Sequence, residues 1–397
     1  MIEFVILMAY LTALVALSID AILPALGLMG GDLHVIEPNH VQYVVGFIFV
    51  GMTLGQLIYG PLSDSIGRKP ALFIGIALYI VGCILSWLAS ALPLMLLGRF
   101  VQGLGVAAPR ILTMAVTRDK FHGREMAKIM SMIMGVFIMV PAIAPSIGQG
   151  IMHVVGWRKI FLFYIAAALS AGTWAYFRLP ESLPVEKRRE FKPRILWSAL
   201  KEAATNRTTV GYTICSGLLF SSLLAYLNSA QQIFQDIFNA GDKFAMYFGM
   251  LALAIGAAFF TNSALVERYG MRPITTISCV VVILASIVFM GYNLYTEPTL
   301  LGFMIFMAIS FFCLGLTFGN MGAMALEPMG HIAGMATALM GSASTAISIA
   351  IGVTIGQLYD GTLLPMAGGF LTLSTAAFFV IIWIERGIKS AFTPHSD

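Results

Sequence analysis

Three charged side chains stand inside long apolar runs and are the first candidates for chemistry: Asp20, Arg99 and Arg110. A charge at the centre of an apolar helix costs about 2.5–3.5 kcal/mol on insertion scales, so it is rarely kept there without a task. For Asp20 the task would be proton binding. The simpler alternatives are a polar group facing water near a membrane surface, or a partner to the helix-breaking Pro24. Arg110 follows Arg99 by eleven residues. Eleven steps of about 100° return it to nearly the same helix face, three turns further along. There it would attract a polar or anionic group, or else snorkel to the interface beside Arg118. Asn228 and Gln231, on one face, and Asn320 are weaker candidates. Each either lines a cavity or hydrogen-bonds a neighbouring helix.

Other chemistries find no support. No paired carboxylates or Ser/His/Asp arrangement stands at a plausible depth, and the six histidines are scattered. No Walker-type lysine loop is present for ATP. Cys83, Cys215, Cys279 and Cys313 lie one per apolar run, without metal-ligand spacing, and read as packing residues. The chain is therefore expected to be no enzyme, with no cofactor and no metal.

The elements that must hold these residues are membrane helices. The 397 residues are 59% hydrophobic and 11% charged, with a mean hydropathy of +0.88. Soluble domains carry about 25% charged residues. A water-soluble fold cannot hide this much apolar surface, whereas a bilayer can. A span needs about 20 apolar residues. That ruler places spans near 4–28, 41–63, 70–89, 93–116, 126–152, 159–179, 208–230, 244–266, 273–293, 299–321, 333–356 and 362–384. The fold class is all-α and polytopic, in two six-helix bundles. The N-terminal bundle is 1–180, a cytoplasmic linker rich in Pro and charge is 181–207, and the C-terminal bundle is 208–397. The first apolar run is too long for a signal peptide and has no basic leader, so it is expected to remain as a span. With both termini cytoplasmic, eighteen Lys and Arg fall on inner segments. Only Arg158, Lys159 and Lys243 fall outside. The positive-inside rule favours that orientation. The net charge of +4 comes from these short loops and is no nucleic-acid signature.

An internal repeat supports two related halves. Gly60–Pro70 reads GPLSDSIGRKP, and Ser263–Pro273 reads SALVERYGMRP. Leu62, Gly67 and Pro70 recur as Leu265, Gly270 and Pro273; Asp64 becomes Glu267 and Lys69 becomes Arg272. Both windows join the second and third spans of their half. Such repeats belong to secondary transporters, whose halves rock about a central site.

GPLSDSIGRKP resembles the loop signature of the major facilitator superfamily. Other stretches agree in order along the chain. RFVQGLGVAA (Arg99–Ala108) is similar to the superfamily's Arg-x-x-Gln-Gly motif, and Arg118-Asp119 follows it. SIDAILPAL (Ser18–Leu26) resembles a segment of the Bcr/CflA group of drug:proton antiporters. Gly135 and APSIGQG (Ala144–Gly150) resemble the antiporter motif, with Ala144 and Gln149 where glycines are usual. Gly156-Trp157-Arg158, LPESL (Leu179–Leu183) and ALEPMGHIAGMATAL (Ala325–Leu339) also fit that group.

The resemblance implies roles. Spans 1 and 4 would face one cavity, with Asp20 about 12 Å and Arg99 about 9 Å from the outer ends of their spans. Asp20 would be the proton site and Arg99 its counter-charge. A nearby guanidinium favours the carboxylate and desolvation the acid, so a change in either moves the proton. Gln102 of the same motif, with Arg110, Asn228, Gln231 and Asn320, would contribute to the substrate cavity. Gly60, Asp64, Gly67, Arg68 and Lys69 would form a gating loop. Gly60 and Gly67 would allow its tight turn, and Asp64 would sit near a helix N-terminus, where the dipole favours a carboxylate. Gly135, Pro141, Pro145, Gly148 and Gly150 would make span 5 a closely packed, bending element. The 24 Met and 28 Phe would supply lipid contact and part of an adaptable pocket.

The implied function is proton-driven export of small amphipathic compounds, antibiotics among them, across the inner membrane. The partners would be the substrate, protons and the lipid bilayer, with no nucleic acid, and a monomer is expected. The alternative is an exporter or importer of one specific metabolite, which a substrate panel separates. A sensor or membrane enzyme would need an extra domain or clustered catalytic groups.

Overall fold

The structure, a computed structural model, describes residues 1–188 and 193–392. Arg189, Glu190, Phe191 and Lys192 of the expected linker lie outside the described residues. Among the described residues, twelve helices are long and apolar enough to cross a bilayer. They are span 1 (Ile2–Asp32), 2 (Pro38–Ile66), 3 (Arg68–Trp87), 4 (Leu92–Lys120), 5 (Lys128–Val155), 6 (Lys159–Arg178), 7 (Arg207–Ile237), 8 (Gly241–Tyr269), 9 (Met271–Tyr295), 10 (Leu300–Ile332), 11 (Gly334–Gln357) and 12 (Leu364–Arg386). Large apolar side chains such as Leu57, Ile74, Val81, Leu169, Phe260, Ile277, Val288, Leu301 and Phe379 stay exposed. That is the surface a lipid solvent asks for. The four cysteines are free and buried.

The chain divides into two compact units. The first is Met1–Lys192 with Leu227–Ala252, and the second is Pro193–Tyr226 with Leu253–Asp397. The first unit thus takes one end of span 7 and the start of span 8. In the first unit, spans 2, 3 and 4 meet almost backbone to backbone. A Cβ on Gly103 would strike the Ile48 carbonyl of span 2, and one on Gly82 would strike the Gln102 backbone of span 4. The expected helix-approach logic of small residues therefore operates most strongly here, in span 4.

Loop chemistry ends the helices where glycine permits it. Gly67 has φ +107°, Gly156 has φ +85° and Gly270 has φ +77°. Gly67 and Gly270 hold the same place in the two repeat windows, so the repeat is one of backbone shape as well as of letters. The segment read as a linker is partly helical, over Pro193–Thr205. The run Leu-Trp-Ser-Ala-Leu-Lys-Glu-Ala-Ala is rich in good helix formers, which explains it.

In the second unit, span 7 is tied to its neighbours by short polar bonds. Thr209 donates to the Ala325 carbonyl (3.0 Å), Ser348 to the Gly217 carbonyl (2.8 Å) and Cys215 to the Ala377 carbonyl (3.5 Å). The Arg207 guanidinium lies 4.3 Å from the Trp383 ring centroid.

Candidate functional site

Span 1 is regular from Ile2 to Asp20 and then breaks. A short 3₁₀ turn, Leu23–Ala25, carries Pro24 before a second helix over Leu26–Asp32. Proline has no N–H to give and its ring crowds the preceding turn, so the ladder stops there. Asp20 therefore sits at the last position of a helix, where carbonyls lack partners and the dipole's negative end lies. It is 5% exposed, and among the described residues nothing bonds or pairs with its carboxylate.

Arg99 meets that break. It is fully buried. It donates to the Ser18 carbonyl (2.8 Å), the Val44 carbonyl (3.0 Å) and Gln102 Oε1 (2.7 Å). Arg99 thus stands beside the end of the first helix, since Ser18 is two residues before Asp20. A direct charge pair is not found. Arg99 is taken up by the Ser18 carbonyl beside the break, by the Val44 carbonyl in the first turn of span 2, and by a glutamine one turn along its own helix. Gln102 is likewise corrected: it is fully buried and holds Arg99.

The same pocket contains groups that the sequence reading missed. Ser18 Oγ and Tyr79 Oη share a 2.7 Å hydrogen bond. Tyr164 stands near Arg99 and Asp20, and among the described residues its buried hydroxyl has no hydrogen-bond partner. Tyr in an apolar run looks like any packing aromatic. The available signal was that a buried phenol needs a polar neighbour.

Gly148 of span 5 closes the pocket from another side. A Cβ there would overlap the Ala21 carbonyl, next to Asp20. Pro141 and Pro145 lie within the helix Gly123–Val155. Gly135 and Gly150 do not share the role expected of them. Nothing stands within 4 Å of the place a Cβ would occupy at either. Gln149, where glycine is usual, donates to the carbonyls of Asp242 (3.0 Å) and Gly241 (3.3 Å) at the start of span 8. Nearby amides form a second bridge. Gln42 and Gln232 share a 2.5 Å bond, and Gln232 donates to Asn39 (3.0 Å). Gln231 and Gln235 bond one turn apart, and Gly27 lies against Gln231. Asn228 is buried close by in sequence. Asn320, in the second unit, forms a reciprocal amide pair with Asn262 (2.8 and 3.1 Å). Of its two expected roles, this is the bond between helices.

Arg110 differs from all of these. It is partly exposed, and among the described residues its guanidinium has no ion pair and no hydrogen bond; only its backbone carbonyl is engaged, by Thr113 Oγ (3.3 Å).

At the basic end of the first unit, Arg68 is the centre of the loop cluster. Its side chain is 7% exposed and contacts Asp64 (2.5 Å), Asp119 (2.9 Å) and Ser63 (2.6 Å). Asp64 does not cap a helix N-terminus. It lies in the last turn of the helix Tyr43–Ile66 and pairs with Arg68. The N-terminus after Gly67 is capped instead by Glu181, which accepts from the Arg68 (2.9 Å) and Lys69 (3.1 Å) backbone N–H groups. Ser182 joins Asp119 (3.1 Å). Lys69 donates to the Tyr176 carbonyl (2.7 Å). Gly60 is helical and in open space, so only Gly67 makes the turn.

Asp20 thus stands at a helix break that Arg99 anchors, in a chain with twelve candidate spans among the described residues. Residues 8–353 match the Major Facilitator Superfamily, and the chain belongs to that family. It is 28% identical over 395 residues to a bicyclomycin resistance protein homolog of Haemophilus influenzae, covering 98% of this chain and 97% of that one. It is 27% identical to the multidrug resistance protein MdtL of Escherichia fergusonii, covering 97% and 96%. Both names fit the Bcr/CflA resemblance. Among solved structures, the fold matches the xylose transporter XylE of E. coli with a TM-score of 0.75 at 13% identity, covering 99% of both chains. The human organic anion transporter MFSD10 matches with a TM-score of 0.70 at 14% identity, covering 96% and 99%. The chain is thus a multi-pass membrane transporter and not an enzyme.

Proposed function

We propose that this transporter is a proton-driven exporter of small amphipathic compounds, working by antiport in the inner membrane. The observation that carries the reading is Asp20: a buried, unpaired carboxylate at the point where span 1 breaks. A group so placed exchanges a proton whenever its access to water changes. Arg99 acts as a positioning residue. By holding the Ser18 and Val44 carbonyls it fixes the broken helix end around Asp20. Gly148 keeps span 5 against the same turn, so movement of span 5 changes the surroundings of Asp20. The names of the drug-resistance relatives support the substrate class.

The basic end is taken as cytoplasmic, with both termini on that side. Residues 1–180 and 208–397 are taken as the rocking halves and 181–207 as the linker. The Arg68 cluster holds the cytoplasmic ends of spans 2, 3 and 4 in one arrangement while the halves rock.

The test is export from everted vesicles loaded with a pH gradient. Collapsing the gradient with a protonophore should stop substrate accumulation. Unchanged accumulation would end the proton-coupling reading. Asp20→Asn should insert and melt like the wild type yet fail to concentrate substrate.

A further inference from the structure

Away from the ends of its spans, the sequence of 1–180 places one acid, Asp20, against two arginines, Arg99 and Arg110. Arg99 is satisfied by three neutral acceptors. These spread its charge without cancelling it. Arg110 has no acceptor among the described residues. This part of the membrane interior therefore carries more positive than negative charge at any protonation state of Asp20.

The position of Arg110 on span 4 is defined by its neighbours. Ala107, three residues before it, meets Gly55 of span 2. Thr113, three residues after it, hydrogen-bonds Thr12 of span 1 (3.2 Å). Arg110 lies between these two packed faces and remains partly exposed. Snorkelling to the basic end does not account for it. The helix continues for ten residues beyond it, to Lys120. That is about 15 Å at 1.5 Å per residue. Cα–Cβ bonds on a helix tilt toward its N-terminus, which for span 4 is the end away from the basic loop, so snorkelling to that loop would have to run against the tilt. An unpaired cation at this depth faces water or a ligand.

We propose that Arg110 binds an anionic group on the transported compound, a carboxylate or similar oxyanion. The preferred cargo is then amphipathic anions and zwitterions, with lipophilic cations disfavoured. This rests on the export reading above and narrows its substrate. A guanidinium offers paired, parallel N–H donors that match a carboxylate, whereas an ammonium offers a point charge. The excess positive charge near the site works in the same direction by repelling cations.

The experiment compares two dyes on one xanthene skeleton, anionic carboxyfluorescein and cationic rhodamine 123. Thermal melting of the purified full-length chain in micelles reads binding, and proteoliposome transport reads export. Wild type should be stabilised by carboxyfluorescein more than by rhodamine 123. In R110Q the ratio of the two half-saturating concentrations should shift by about tenfold or more against the anion, the scale of one lost charged hydrogen bond. R110K should fall between. Stabilisation of the wild type by rhodamine 123 alone, or by neither dye, overturns the proposal. An unchanged ratio in R110Q also overturns it. The wild-type melts decide the question even if R110Q does not fold. Binding of carboxyfluorescein without export in proteoliposomes would leave the Arg110 assignment standing and count against the export reading.

Discussion

Arg99 is a buried charge held entirely by neutral acceptors. Its guanidinium binds three acceptors from span 1, span 2 and its own helix. Hydrogen bonds to charged groups contribute about 1.5–3 kcal/mol each, and orphaned buried acceptors add a penalty. Arg99→Ala should therefore destabilise the protein by about 3 kcal/mol or more, read as a lowered melting temperature in micelles. Arg99→Lys should recover only part of this, because one ammonium cannot span all three acceptors. Asp20→Asn should show the opposite profile, with near wild-type melting and lost coupling. Equal melting losses in both variants would show that Asp20 is structural.

The sequence exposed Asp20 and Arg99 as charges in apolar runs, because a charge there is conspicuous. It did not reveal what Arg99 holds. Its partners include the backbone carbonyls of Ser18, beside the break after Asp20, and of Val44, on span 2, and a list of side chains contains no carbonyls. Tyr79 and Tyr164 were hidden for a related reason: their rings match the apolar pattern around them. Glu181 was visible within LPESL, yet its helix lies more than a hundred residues away at Arg68.

Among the elements, span 4 and the loop after span 2 make the sharpest predictions. Overpacking a well-packed contact costs typically 1–3 kcal/mol. Gly103→Ala and Gly148→Ala should both lose stability on that scale. Gly135→Ala, in open space, should be neutral or slightly stabilising, since alanine is the better helix former. A thermal melt of the three variants tests this, and equal losses would sink the distinction. Glu181→Ala should cost about 1 kcal/mol, the usual value of a helix N-cap. Arg68→Ala should cost about 3–5 kcal/mol, because Asp119, 17% exposed, loses its partner. The family resemblance made this loop legible and also misled at two positions. It drew Gly60 into the turn, although the helix runs on to Ile66. It set Asp64 near a helix N-terminus as a partner of the dipole, whereas Asp64 pairs with the Arg68 side chain and Glu181 takes the N–H groups of that terminus.

For the whole molecule, the far end of the first unit is tied by amides. Gln149 reaches the loop before span 8, and Gln42, Gln232 and Asn39 form a chain beside it. Under the proposed export cycle, release of substrate to that side would require these bonds to open. Gln149→Gly, which restores the usual motif residue, should ease that opening. Hydrogen exchange of residues 233–243 should then be faster than in wild type, with the Arg68 cluster unchanged. Slower or unaltered exchange would remove Gln149 from the closure. The sequence marked Gln149 only as a departure from a motif. Its bonding partners lie some ninety residues away, beyond any local pattern.

The close meeting of spans 2, 3 and 4 also bears on how the protein is made. Its contacts join residues within one continuous stretch of 43–120 and need nothing synthesised later. Short loops in sequence close quickly. A nascent chain that has cleared the ribosome through Lys120 already holds both sides of these close helix approaches, while the Glu181, Ser182 and Tyr176 contacts of the Arg68 cluster come later. Span 5 and the tyrosine of span 6 arrive afterwards, onto a surface that is already formed. The order of synthesis thus delivers the scaffold before the groups that complete the buried pocket.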